Sequence, residues 1–141
     1  MPRVEIELPD EYHFSTEIAV RISDINFGGH LGHDAVLTLM HEARARLFKH
    51  HGYEELNVEG LGIIMADVGI VYRSEAFFGD VLKFDLAVAE FTSKGCGILY
   101  RLSMAEDGRE VARGRTGLVF YDYKAAATAQ VPSAFRARFE Q

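Results

Sequence analysis

Cysteine is almost absent from this sequence, Cys96 being the only one. No intrachain disulfide can form, and one chain cannot assemble a thiolate zinc cluster, so a reducing compartment suits the protein. Long hydrophobic runs are also lacking. No stretch approaches about 18 uncharged apolar residues, which argues against a membrane-spanning helix. The segment from Met1 to Tyr12 is acidic and broken by Pro9, with neither the basic flank nor the apolar run of a secretory signal. The expectation is a soluble cytoplasmic protein. Positive charge is in deficit, with 15 Lys and Arg against 21 Asp and Glu and a formal net charge of -6. That balance argues against a nucleic-acid surface and a polybasic membrane anchor. Neither Gly-x-x-x-x-Gly-Lys nor Gly-x-Ser-x-Gly occurs, so NTP hydrolysis and serine-hydrolase chemistry have no support.

What is present is an ordinary globular composition, 48% hydrophobic and 26% charged over 141 residues. A chain of this length buries roughly 70% of its unfolded surface, enough for one core, and no linker divides it, so residues 1–141 read as a single domain. Thr16 to Ile22 alternates apolar and polar residues, which predicts a strand with one buried face. Asp24-Ile25-Asn26-Phe27-Gly28-Gly29-His30-Leu31-Gly32-His33-Asp34 then places three glycines among small polar residues and reads as a loop. From Ala35 to His51 the period becomes helical. Val36, Met40, Ala43 and Leu47 form one stripe flanked by Leu39 and Arg44, with Thr38, Ala45 and Lys49 opposite. Asp34 is the expected cap and Gly52 the expected stop.

After Gly60 four strand-like runs follow: Gly62 to Ser74, Val81 to Phe91, Ile98 to Met104 and Val111 to Tyr123. Ser93-Lys94-Gly95 and Glu106-Asp107-Gly108-Arg109 supply turn chemistry between them. Ala112, Gly114 and Thr116 are small, as where a helix lies close against a sheet. Pro132 to Gln141 predicts one short helix. One helix over one antiparallel sheet leaves long edges and an apolar far side, for which oligomerisation is the usual remedy.

A strand running into Asp24-Ile25-Asn26-Phe27-Gly28-Gly29-His30, then a long helix carrying Glu42-Ala43-Arg44, then four antiparallel strands, resembles the hotdog-fold acyl-CoA thioesterases of the 4-hydroxybenzoyl-CoA thioesterase group. The resemblance spans about Phe14 to Tyr123. It implies an α+β hotdog fold, a long central helix wrapped by a five-stranded, mainly antiparallel sheet. It also implies chains paired edge to edge as a dimer or tetramer, and an acyl-CoA or acyl-carrier-protein thioester held at the subunit interface near the helix N-terminus. No cofactor is implied, the CoA thioester being substrate. The family's usual aspartate stands two residues after Asp24, where this chain has Asn26. An amide is neither nucleophile nor base near neutral pH. Plant acyl-carrier-protein thioesterases look similar in having Asn there, with catalysis shared with His and an acidic or thiol partner. Many relatives carry a helix carboxylate one position before Glu42, where this chain has His41.

The candidate catalytic residues are therefore Asn26, His33 and Glu42, and the candidate substrate-binding residues Gly28, Gly29 and His30. Asn26 either satisfies its own turn or holds the attacking water or the thioester oxygen. His33 stands at the helix start, where the positive dipole end favours an uncharged ring and suits a base. His30 reads as a hydrogen-bonding scaffold residue. Glu42 lies opposite the apolar stripe, on a solvated or interface face. Backbone amides of Gly28, Gly29 and Gly32, with the helix behind them, are candidate oxyanion donors. Asp67 reads as an edge carboxylate paired with Arg73 or Arg21, and Cys96 is not a nucleophile because no neighbour in sequence would activate it. His30, His33, His41 and Glu42 do not make a metal site. His33 and His41 stand about 80° apart around a helix rather than side by side. The reading is thioester hydrolysis, against a non-hydrolytic acyl-binding module or a hotdog hydratase.

Overall fold

A computed structural model describes residues 2–140, so Met1 and Gln141, the outer ends of the acidic leader and of the expected tail helix, lie outside the described residues. Phe14–Ala19 forms strand β1, shifted towards the N-terminus from the alternation at Thr16 to Ile22. The shift has a local cause. The Asp24 carboxylate accepts hydrogen bonds from the Arg21 backbone N–H at 2.8 Å and from its guanidinium at 3.0 and 3.2 Å, bending Ile22–Asp24 into a 3-10 turn. Helix α1 follows at His33–His50, with Gly32 rather than Asp34 as its N-cap and no side-chain cap. The first turn closes through Val36 N–H to the Gly32 carbonyl at 3.1 Å, which brings His33 into the helix. At the other end Gly52, at φ 78, takes the left-handed conformation that a side chain disfavours and stops it as expected.

Strands β2 (Gly62–Tyr72), β3 (Val81–Ala89), β4 (Gly95–Met104) and β5 (Glu110–Asp122) follow, then a two-residue β6 (Ala127–Thr128) and helix α2 (Ser133–Phe139). The sheet is antiparallel in the order β1-β3-β4-β5-β2, and β6 adds a sixth strand, beside β5, that no sequence alternation announced. Helix α1 lies against one face. Its Val36, Leu39, Met40, Ala43, Leu47 and Phe48 are buried against Leu82, Phe84, Ile98, Tyr100, Leu102 and Phe120 of the strands in one continuous core. This is the hotdog arrangement. Gly114 sits under Met40 so closely that a Cβ would strike its thioether, which is why position 114 is small. Phe135 and Phe139 of α2 close the end of the core against Phe120 and Tyr53.

The far face of the sheet is less bare than the pattern implied. Ile6 packs there with Ala87 and Leu99, its carbonyl accepting from Arg113 at 3.1 Å, and ion pairs among Asp85, Arg101, Glu110 and Arg113 cover more of it. The unmanaged surface is instead the outer strand β2, where Ile64, Met65, Val68 and Tyr72 are exposed. Among the described residues no helix is long and apolar enough to cross a membrane.

Gly95 holds the β4–β5 pairing at its tightest point, because a Cβ there would collide with the Leu118 carbonyl of the paired strand. Both sides of that collision are backbone, so no side-chain rotamer relieves it. Gly95→Ala is expected to cost about 1–3 kcal/mol, the range for forced overpacking. Urea unfolding measures it, and an unshifted midpoint would refute the collision.

Candidate active site

The loop from Asp24 to Gly32 is held by its own hydrogen bonds. Asn26 N–H donates to the His30 carbonyl at 2.9 Å, and Gly29 N–H to the Asn26 carbonyl at 3.0 Å. Gly32 N–H donates to the Asp24 carbonyl at 3.0 Å, and Leu31 N–H ties the loop to the Ala76 carbonyl at 2.8 Å. Gly29 sits at φ 85, a conformation its missing Cβ permits. Asp24 anchors the base of the loop. Burial alone would raise its carboxyl, but hydrogen bonds from the Arg21 side chain and backbone, with the Arg21 charge, hold it below the usual carboxylate range.

Asn26 turns its Oδ1 into the loop, accepting from Gly28 N–H at 2.9 Å. That bond assigns the amide orientation and leaves Nδ2 as the outward atom. Asn26, His30 and His33 meet around a cavity of about 300 Å³, whose opposite wall is Tyr72, Ser74 and Glu75. His30 reaches the wall through Nε2, 3.9 Å from Glu75 Oε1, while its Nδ1 lies 3.2 Å from the Leu31 carbonyl. Tyr72 donates its hydroxyl to the His33 carbonyl at 2.9 Å, joining the helix start to the end of β2. Burial, then the nearby Asp34 charge, pushes the Tyr72 phenol above its ordinary value, so it stays a donor. Recesses of about 660 and 900 Å³ are larger, but neither gathers these loop residues.

Three expectations change here. Gly28 and Gly29 cannot offer their N–H groups to a thioester, since both already donate to Asn26. The N–H groups of His33, Asp34 and Ala35, under a glycine cap, have no partner among the described residues. Glu42 stands apart from the cavity, ion-paired with Arg46, which in turn binds Thr16 Oγ1 and the Glu17 carbonyl of β1. Asp67 pairs with Arg115 at 2.8 Å rather than with Arg73 or Arg21. Tyr72, Ser74 and Glu75 were missed, because about 40 residues separate them from the loop and no spacing rule links the two. Cys96 is buried and its thiol is pushed up to about 12 by burial, which leaves no thiolate for attack. Among the described residues no three His, Cys, Asp or Glu side chains group as metal ligands.

Helix α1 and strand β2 run in opposite directions: Tyr72 meets His33, and farther along a second recess lies between Met65 to Val68 and Leu37 to Arg44. The wider recess of about 660 Å³ is lined in part by a polar cluster around the buried Arg44. Arg44 donates from Nε to Glu55 at 3.1 Å and from Nη1 to the Tyr100 hydroxyl at 3.2 Å. That hydroxyl lies 2.8 Å from Thr116 Oγ1, and His41 Nε2 lies 3.3 Å from Glu55.

Set against known families, residues 20–139 match the model of the thioesterase-like superfamily. The chain belongs to that superfamily. Membership places it in the thioesterase class of hydrolases. Solved structures of similar fold include a 1,4-dihydroxy-2-naphthoyl-CoA thioesterase from Synechocystis, 21% identical over 89% of this chain and 93% of the other at a TM-score of 0.80. A thioesterase-superfamily protein from a Jannaschia species is 19% identical over 93% and 83%, with a TM-score of 0.82. A gentisyl-coenzyme A thioesterase is 19% identical over 89% and 99%, with a TM-score of 0.78. At such identities the likeness carries the fold of this superfamily member and nothing finer. Comparison with curated proteins finds no match.

Proposed function

We propose that the chain hydrolyses acyl-CoA or acyl-carrier-protein thioesters at the cavity between the Asn26–His33 loop and the end of β2, with the site completed at a subunit interface. The observation that carries this reading is the meeting of Asn26 and His33 with the uncapped first turn of α1 around one cavity. The helix N–H groups would bind the carbonyl oxygen as it gains charge. Asn26 Nδ2 would hold the same oxygen or the attacking water. His33 would take a proton from water as its oxygen bonds to the carbonyl carbon, and return it to the sulfur as the C–S bond breaks. The products are a carboxylic acid and a free thiol, and water and thioester are the only reactants. The Synechocystis relative acts on 1,4-dihydroxy-2-naphthoyl-CoA. The test is thiol release from acyl-CoAs of graded length. Saturable release supports the enzyme, whereas tight binding without release would make the chain an acyl-binding module.

The interface part rests on β2, an outer strand whose Val68 and Tyr72 are 50% and 51% exposed. Long apolar edges of this kind are normally paired. Sedimentation at micromolar concentration is expected to show a dimer or larger, and a fully active monomer would remove the interfacial site.

A further inference from the structure

We infer that the recess at Arg44 is the distal end of the acyl channel, and that it binds a hydroxyl carried at the far end of an aliphatic acyl chain of middle length. The inference rests on the thioesterase reading for the direction of the chain, but its chemistry comes from the recess itself. Arg44 is 5% exposed, yet it lines the recess. Of the five N–H donors a guanidinium carries, Nε is taken by Glu55 and Nη1 serves Tyr100. Nη2 makes no hydrogen bond among the described residues, and Arg44 lines the recess. Leu37, Met65 and Val68 make the approach apolar. A methyl end pressed against this donor would leave a buried charge-bearing N–H without a partner, at a cost that an oxygen acceptor avoids.

The acceptor should be neutral. Arg44 is already balanced by Glu55, and Asp67 of the lining by Arg115, so among the described lining residues no Arg or Lys is left unpaired to balance a carboxylate. Length follows from the helix. His33 and Arg44 are eleven residues apart, about 16 Å at 1.5 Å per residue, and side chains lean back towards the helix N-terminus by several ångströms. An extended chain advances roughly 1.2 Å per bond, so about 8 to 12 carbons connect the two ends. A single aromatic ring stops well short.

Calorimetry on the intact protein with three non-hydrolysable CoA thioethers tests this: decyl, ω-hydroxydecyl and ω-carboxynonyl. The hydroxylated probe should bind about 10- to 100-fold more tightly than decyl, the value of one hydrogen bond to a charged donor, and the carboxylated probe no more tightly than decyl. Arg44→Met should bring the hydroxyl-to-decyl ratio to about one, and Arg44→Lys, which keeps the charge but loses the reach, should lower it without disturbing Glu55 as much. Equal affinities in the native protein, an unchanged ratio in Arg44→Met, or no binding of any thioether would overturn the proposal. The native comparison needs no variant, so misfolding of Arg44→Met does not protect it. Thiol release from the matching thioesters is read separately. A binding preference with no release from any thioester leaves the recess assigned and refutes the hydrolase, whereas release with equal binding does the reverse.

Discussion

His33→Gln is expected to lower kcat by about 100- to 10,000-fold, the usual contribution of a positioned general base, and to remove the rise of kcat/KM with pH that the base supplies. His33 is the first residue of α1, its carbonyl bound by Tyr72, and it lines the cavity that also holds Asn26. Glu42 is the competing candidate on chemical grounds, yet its carboxylate is committed to Arg46 and through it to β1. Glu42→Gln should therefore keep the pH limb and most of the rate. If Glu42→Gln abolishes the limb, the roles reverse and the carboxylate must act across a subunit boundary. If both variants keep limb and rate, neither is the base, and Glu75, which faces His30 across the cavity, is the next residue to substitute.

Asn26→Ala should lower turnover by about 10- to 1000-fold, as for the loss of one preorganised polar contact. Asn26→Asp separates the two chemistries open to this position. Because Oδ1 is fixed by Gly28 N–H, aspartate would keep the loop bond and replace only the outward Nδ2 with a charged oxygen. A site that uses Nδ2 as a donor to the developing oxyanion is then repelled, and Asn26→Asp should be as poor as Asn26→Ala. Retained or increased activity in Asn26→Asp would show that the cavity accepts a carboxylate nucleophile or base. Native activity in Asn26→Ala would remove the residue from the reaction. Melting temperature controls for the loop, since the alanine variant also loses the Gly28 bond.

Periodicity by itself determined the elements. A helix needs only its own apolar stripe and a strand only its own alternation, and both are local, so α1 and the four long strands were legible to within a few residues. The small residues Ala112, Gly114 and Thr116 even marked where the helix would lie, because backbone proximity demands them. The loop chemistry was legible too, since Asn26, His30 and His33 come within eight residues of chain. Their partners were not. Tyr72, Ser74 and Glu75 reach the loop because β2 runs antiparallel to α1, and the Glu42 carboxylate is held by Arg46, which also reaches Thr16 of β1. Arg44 carries the same lesson. On a helical wheel it merely flanks an apolar stripe, and only the tertiary packing brings Tyr100 of β4 and Glu55 of the segment after α1 to its guanidinium, with Thr116 of β5 bonded to the Tyr100 hydroxyl. Local pattern selects the elements, but which charges end up paired, and which donor is left facing a cavity, is a property of contacts between residues far apart in the chain, and those exist only once the sheet has closed around the helix.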